Sequence, residues 1–292
     1  MFEQILICTD FSDGLHRLSQ FTSSLKLAGI KQIVFLHVVP LWEKGIIPQV
    51  DSEKIEQAQT QLAKAIEQSP TDVEVKIEVQ SGKPVETILK VAQVYKSRLI
   101  ILGSPTRSTL TEKLVGSTMA ELSRQTKIPL LVVRPQLLCA YTSEELTLRC
   151  QHLFRSLLIP YNDGQVSHYL LQQVKELAQK QSNSYLQQCQ ICWVVENTTS
   201  KERLRKIPPQ EVHETLSQIK AELEELNLQV ETEVREGNSV TQVLETAVMA
   251  DISAIAVSSG TIGKLQEWLV SSFAAEVLRQ SWYPVLFFPF SD

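Results

Sequence analysis

Residues 99–129 read LIILGSPTRSTLTEKLVGSTMAELSRQTKIP, and residues 254–284 read AIAVSSGTIGKLQEWLVSSFAAEVLRQSWYP. At a shift of 155 positions, Ile100, Ser104, Thr106, Leu110, Glu112, Leu114, Val115, Ser117, Ala120, Glu121, Arg124, Gln125 and Pro129 meet identical residues without a gap. The same shift matches Glu78, Val79, Gly82, Val85, Leu89 and Ala92 to Glu233, Val234, Gly237, Val240, Leu244 and Ala247. Chance does not reach this density. The chain is an internal duplication.

Outward from that stretch, the first copy alternates strand and helix signals. The apolar runs 4–8, 32–39, 73–79, 99–102 and 130–133 read as strands. Ser12 reads as an N-cap before Leu15, Leu18, Phe21 and Leu25. Ile55, Ala58, Leu62 and Ile66 form one apolar stripe, and Val85, Ile88, Leu89 and Ala92 another, opened by Pro84 in the first turn. The second copy repeats the order, with Val212, Leu216, Ile219, Leu223 and Leu226 as its second stripe. Alternating β and α with near-continuous apolar strands means an α/β chain with a parallel sheet covered on both faces. Right-handed crossovers make each copy doubly wound. The expectation is two tandem five-stranded sheets of order 3-2-1-4-5, with domains at 1–135 and 152–292. The segment 136–151 is a linker, apolar enough to pack in part.

The totals fit this reading. The chain has 292 residues, 43% hydrophobic and 21% charged, enough for two cores. A formal net charge of -5 argues against a nucleic-acid binder; the basic run Lys201–Lys206 has no interleaved aromatics and reads as a solvated loop. No apolar stretch is long enough to cross a membrane, and no secretory signal opens the chain, so a cytoplasmic location is the expectation. Five cysteines at irregular spacing do not make a disulfide framework. Cys189 and Cys192 lie in a strand-like run, where residues three apart face opposite ways, so they read as structural cysteines.

Open α/β sheets bind ligands at the carboxyl ends of their strands, where the strand order reverses. In the first copy that crevice lies between Cys8-Thr9-Asp10-Phe11-Ser12 and Gly103-Ser104-Pro105-Thr106-Arg107. Gly116-Ser117-Thr118 opens the last helix, whose N–H groups suit a phosphate. Asp10 would repel phosphate and suits a ribose hydroxyl or a metal better.

These residues carry a resemblance. TDFS after strand one, LHVV in strand two and the spacing from Gly103 to Gly116-Ser117 resemble the universal stress protein family, over nearly the whole chain. Its ATP-binding branch carries G-x-x-G-x9-G-[ST]; here Thr106 stands at the second glycine. The resemblance implies ATP, with or without Mg²⁺, in the first copy. Asp10 would meet the ribose side and the Val38 backbone the adenine, with Thr9 among the nucleotide-binding residues. Gly103, Gly116 and Ser117 would cradle the phosphates, with Arg107 nearby; Ser104, Thr106 and Thr118 are the remaining nucleotide-binding residues. In the second copy Asn162 or Asp163 takes the Asp10 place. Ser258 replaces Gly103, Ser271 replaces Gly116, and Phe273 replaces Thr118. Gly260 and Gly263 persist at other positions, but Gly263-Lys264 is not a P-loop.

No nucleophile elbow or metal-binding motif is present, and the five histidines are scattered. His37 reads as a core residue of strand two; His152 and His168 have no obvious partner. No catalytic or metal-ligating residue is therefore assigned. The leading expectation is a stress-response regulator that binds an adenine nucleotide without efficient catalysis, slow hydrolysis staying open. The alternatives are a nucleotide-free scaffold and an ATP hydrolase with a metal on Asp10. Single-domain family members pair through their last strand, which implies pairing between the two copies here. A further homodimer is also open.

Overall fold

The structure is a computed structural model that describes residues 2–41, 50–67, 73–104, 116–179, 185–196, 208–258 and 272–290, without the side chains of 64–66. Thr106, Arg107, Lys201–Lys206, Gly260, Thr261, Gly263, Lys264 and Ser271 lie outside the described residues.

The first copy contributes β1 (Gln4–Cys8), β2 (Gln32–Val39), β3 (Glu74–Ser81), β4 (Leu99–Gly103) and β5 (Leu130–Val133). Its helices are α1 (Thr22–Leu27), α2 (Ser52–Glu67), α3 (Pro84–Val94) and α4 (Ser117–Gln125). The segment between the copies is helical: α5 (Pro135–Ala140) and α6 (Ser143–Gln151). The second copy contributes β6 (Ser156–Tyr161), β7 (Gln188–Val195), β8 (Gln229–Glu236), β9 (Ala254–Ser258) and β10 (Val285–Phe288). It also supplies α7 (Gln165–Gln179), α8 (Pro209–Glu224), α9 (Ser239–Met249) and α10 (Phe273–Gln280).

Both copies show the order 3-2-1-4-5, but their sheets are not separate. The strands form one ten-stranded sheet, β3-β2-β1-β4-β5-β10-β9-β6-β7-β8. Pairing is parallel within each copy and antiparallel at the single seam between β5 and β10. There Leu131 stands opposite Leu286, its own repeat partner, so a pseudo-twofold axis passes between them. A last strand with one free edge and four buried apolar side chains needs a partner; here each copy supplies the other's.

Side chains alternate across this sheet into two cores, each continuous through both copies. Ile5, Ile7, Ile33, Phe35, Leu99 and Ile101 join Leu157, Ile159 and Phe154 on one face. Leu6, Val34, Ile100 and Leu102 join Leu158, Ile255 and Phe287 on the other, under α3, α4, α9 and α10. Each fully buried aliphatic or aromatic side chain contributes about 1.5–3 kcal/mol. Cys189 and Cys192 do fall on opposite faces.

Further contacts tie the copies together. Phe2 packs on Phe154 with ring centroids 5.2 Å apart. Gly29, at φ +89, lies so close to Tyr185 that a Cβ would stand 2.3 Å from the ring. Arg134, just after β5, reaches across the seam: its Nε donates to Ser281 O at 2.7 Å, and Nη2 reaches Leu278 O at 3.4 Å and Arg279 O. These carbonyls end α10, where a cation is favoured. Burial lowers the Arg134 pKa. The helices between the copies are docked as well. Arg17 donates to Leu138 O and, at 3.2 Å, to Tyr141 O, and α6 is opened by a capping box between Thr142 and Glu145.

The expectation for the first helix is corrected. Ser12 is not an N-cap of a long α-helix. Gly14, at φ 71, precedes a 3₁₀ helix over Leu15–Gln20, and α1 starts only at Thr22. The carboxylates of Asp10 and Asp13 take the nearby turn N–H groups instead.

Candidate functional site

Because β1 and β4 are parallel neighbours, Thr9–Asp10 and Gly103–Ser104 emerge at one edge of the sheet. The helix α4 runs back from that edge to β5, so Gly116 and Ser117 lie at the edge too. Val38, near the end of β2, packs with the core under α3 and α4. The described parts of the predicted site therefore share one edge.

The turn after β1 is built from two carboxylates. Oδ1 of Asp10 accepts from Ser12 N and Ser12 Oγ, both at 2.8 Å, and from Asp13 N at 3.0 Å. This is the Asx turn an Asp favours. Asp13, missed by the sequence reading, is only 7% exposed. Its Oδ1 accepts from Thr9 Oγ1 at 2.8 Å and Leu15 N at 2.9 Å, and its Oδ2 from Asp10 N at 3.2 Å. Burial pushes the Asp13 carboxyl above the usual carboxylate range, against the opposing pull of the hydrogen bonds from Thr9 and Leu15. Thr9 Oγ1 in turn accepts from Phe11 N, and Thr9 N donates to Leu36 O. The Thr9 carbonyl accepts from Nδ1–H of His37 at 2.8 Å. Phe11, at φ 64, stacks on His37 with centroids 4.6 Å apart. His37 is thus half-buried, bonded to the turn and packed on Phe11.

Gly103 acquires a packing reason for being glycine. A Cβ there would stand 2.6 Å from the Asp13 Cβ. Leu99 and Ile101 alternate with Gly103 onto the face opposite Val38 and α4, so Asp13 sits across the sheet from them. Ser104 is 7% exposed, and its Oγ has no hydrogen-bond partner among the described residues. A buried hydroxyl without a partner costs about 1–3 kcal/mol and calls for one. Gly116, at φ 62, precedes α4 with no side-chain cap, leaving the first N–H groups of Ser117 and Thr118 to another acceptor. The residues therefore fit a phosphate-bearing ligand at α4 and hydroxyl donors at Asp10.

The second copy resolves an alternative. Ile5 stands opposite Leu99, and Leu157 opposite Ala254, the repeat partner of Leu99. Asn162 thus takes the place of Asp10, and Asp163, at φ 59, that of Phe11. Asn162 Oδ1 repeats the turn by accepting from Gly164 N at 3.2 Å, and also takes Ser167 Oγ at 2.7 Å. Ser258, in the place of Gly103, donates to Phe288 O at 2.7 Å. His168 has partners after all: Asp163 at 3.0 Å and Tyr161 Oη at 3.2 Å. The Tyr161 ring packs on Trp193, and its hydroxyl pKa is raised by burial and by Asp163. Phe273 opens α10, with Ser272 as its N-cap through Ala275 N at 3.2 Å. The N–H groups awaiting an acceptor at α4 are thus partly met at α10.

A family model described as the universal stress protein family matches residues 1–134 and 153–289. The chain belongs to this family. A universal stress protein of Methanocaldococcus jannaschii is 26% identical over 155 residues, covering 46% of this chain and 96% of that protein. Among solved structures, a universal stress protein from Archaeoglobus fulgidus aligns with 100% of this chain and 98% of its own. Its TM-score is 0.70 at 19% identity. A functionally unknown protein from Pseudomonas aeruginosa aligns with 98% of this chain and 92% of its own, at TM-score 0.52 and 13% identity. The two-domain universal stress protein fold therefore extends over the whole length. Among the described residues no helix is long and apolar enough to cross a membrane.

Proposed function

We propose that this chain is a stress-response regulator whose first copy binds an adenine nucleotide, ATP, without efficient catalysis. The observation that carries this reading is the pairing, at one sheet edge, of the partnerless buried Ser104 hydroxyl with the uncapped start of α4. Phosphates would take the N–H groups following Gly116, helped by Ser117, Thr118 and Ser104. Asp10 would accept from the ribose, and the Val38 backbone would meet the base. Thr106 and Arg107, outside the described residues, stay in the proposal as phosphate contacts. A Mg²⁺ brought by the nucleotide would offset charge on its phosphates. Bound only by the native state, the ligand would shift a conformational or partner equilibrium. The location proposed is cytoplasmic, and the domains proposed are 1–135 and 152–292.

The test is thermal unfolding with and without ATP and Mg²⁺, together with acid extraction and chromatography of the purified protein. A native-state ligand at 100 times its Kd adds about 2.7 kcal/mol. Gly116→Leu should abolish the shift; strain at φ 62 lowers its melting temperature without ligand, so the shift is read against the variant's own ligand-free value, with circular dichroism to show the fold. No shift at millimolar ATP and no co-purifying nucleotide would refute the reading.

One observation favours a second reading. Asp13 accounts for Gly103 without any ligand, and two carboxylates near the edge disfavour phosphate. A nucleotide-free scaffold acting through its surfaces is then the function, and the same experiment separates the two.

A further inference from the structure

Asp10 and Asp13 hold each other. The Asp13 N–H donates to Asp10 Oδ1, and the Asp10 N–H donates to Asp13 Oδ2. This closes a ring in which each carboxylate accepts the other's backbone. With Oδ1 of Asp10 taken by three donors, Oδ2 has no hydrogen-bond partner among the described residues, on a side chain that faces solvent. The direction in which that free oxygen points is set by the turn, and the turn is set by Asp13. Asp13 is in turn confined by Thr9 and Leu15 and by contact with the bare Cα of Gly103.

The second copy is an internal control. There Gln165 takes the place of Asp13, and Ser258 that of Gly103. The two positions differ together: where no second carboxylate stands, the residue on the fourth strand carries a side chain, which turns to Phe288 O. Asn162 keeps a reciprocal turn with a hydroxyl in place of the second carboxylate: Ser167 Oγ donates to Asn162 Oδ1 at 2.7 Å and accepts from Asn162 N at 3.3 Å.

We propose that Asp13 is a positioning residue, which aims the free carboxylate oxygen of Asp10 at a ribose hydroxyl and so sets the preference of the first copy for ribonucleotides. The inference rests on the nucleotide reading above. Asp13→Asn is nearly isosteric but supplies only one acceptor oxygen. Its amide nitrogen must then face either the Asp10 N–H or the donors of Thr9 and Leu15, donor against donor. The carboxylate of Asp10 stays in place chemically but loses its aim.

The experiment is calorimetric titration of the full chain with ATP and with 2′,3′-dideoxy-ATP, which keeps the base and phosphates. Wild type should bind ATP about tenfold more tightly, the value of one hydrogen bond to a charged group. Asp13→Asn should lower ATP affinity to that of the dideoxy compound, whose own affinity stays unchanged. Asp13→Gln, the residue at the matching place in the second copy, should do the same if Asp13→Asn does not fold. A wild-type preference surviving in a folded variant overturns the proposal. So does an equal loss for both compounds, the mark of general damage to the turn. Wild type binding both compounds equally overturns it while sparing the nucleotide reading; wild type binding neither removes both.

Discussion

Arg134→Met should cost this chain about 2–3 kcal/mol. The guanidinium donates across the seam to the carbonyl of Ser281 at 2.7 Å and to that of Arg279, with a longer reach of 3.4 Å to Leu278. Hydrogen bonds from a charged donor contribute about 1.5–3 kcal/mol each, but these share one group and do not add. The cation also gains about 0.3–1 kcal/mol from the carbonyl end of α10. Against this stands the desolvation of a half-buried guanidinium. Methionine keeps much of the apolar stem, so lost packing contributes little. For a chain of this size the loss corresponds to roughly 4–12 °C in melting temperature. Urea titrations followed by far-UV circular dichroism would give the difference. Arg134→Lys should recover less than half of it, because an ammonium lacks the planar fork that reaches several carbonyls at once. A methionine variant within 0.5 kcal/mol of wild type, or a lysine variant equal to it, would refute the account of the seam.

Gly29→Ala should destabilise by about 1–3 kcal/mol through positive-φ strain and overlap with Tyr185, and Tyr185→Ala should relieve only the overlap. Of the five cysteines only Cys139 is exposed, while burial raises the thiols of Cys150 and Cys189 to about 12; an aromatic disulfide reagent should release one equivalent at neutral pH in the native state and five in denaturant. Two or more fast thiols would contradict the burial described. Because the Asp13 pKa is raised in the fold, the native state holds that proton more tightly than the unfolded chain, and stability falls as pH climbs from about 4 through the raised value. The stability of wild type relative to Asp13→Asn, read from urea midpoints between pH 4 and 7, should therefore decline with rising pH; a constant difference would refute it.

Much of this architecture was legible because strand burial is written in composition. The runs at Gln4–Cys8, Gln32–Val39 and Leu130–Val133 form as read, since no helix period competes with a short apolar run between turn residues. The pairing of the two last strands was implied by the family resemblance, and the structure shows it at β5 and β10. The turn after β1 was harder. Ser12 before a periodic apolar stretch is a sound N-cap signal, but Asp10 and Asp13 compete for the same N–H groups and win, and Gly14 breaks the helix. That the second acid of TDFSD is buried depends on contact with Gly103, ninety positions away, which no local rule carries. The capping box at Thr142–Glu145 was a missed signal: T-x-x-E is readable, and it marks a docked helix where a linker was expected. At the candidate site, Gly116 and Ser117 could be placed by spacing, whereas the idle hydroxyl of Ser104 is visible only in three dimensions.

The antiparallel contact at Leu131 and Leu286 has one more consequence. In an assembly of two identical chains, any substitution near the axis appears twice, and both sides must tolerate it. Covalent linkage removes that constraint. Arg134 faces the helix end of the other copy, while the matching place in the second copy is Pro289, whose carbonyl takes Tyr169 Oη at 2.8 Å. Each half is thereby free to change near the axis without a matching change in the other.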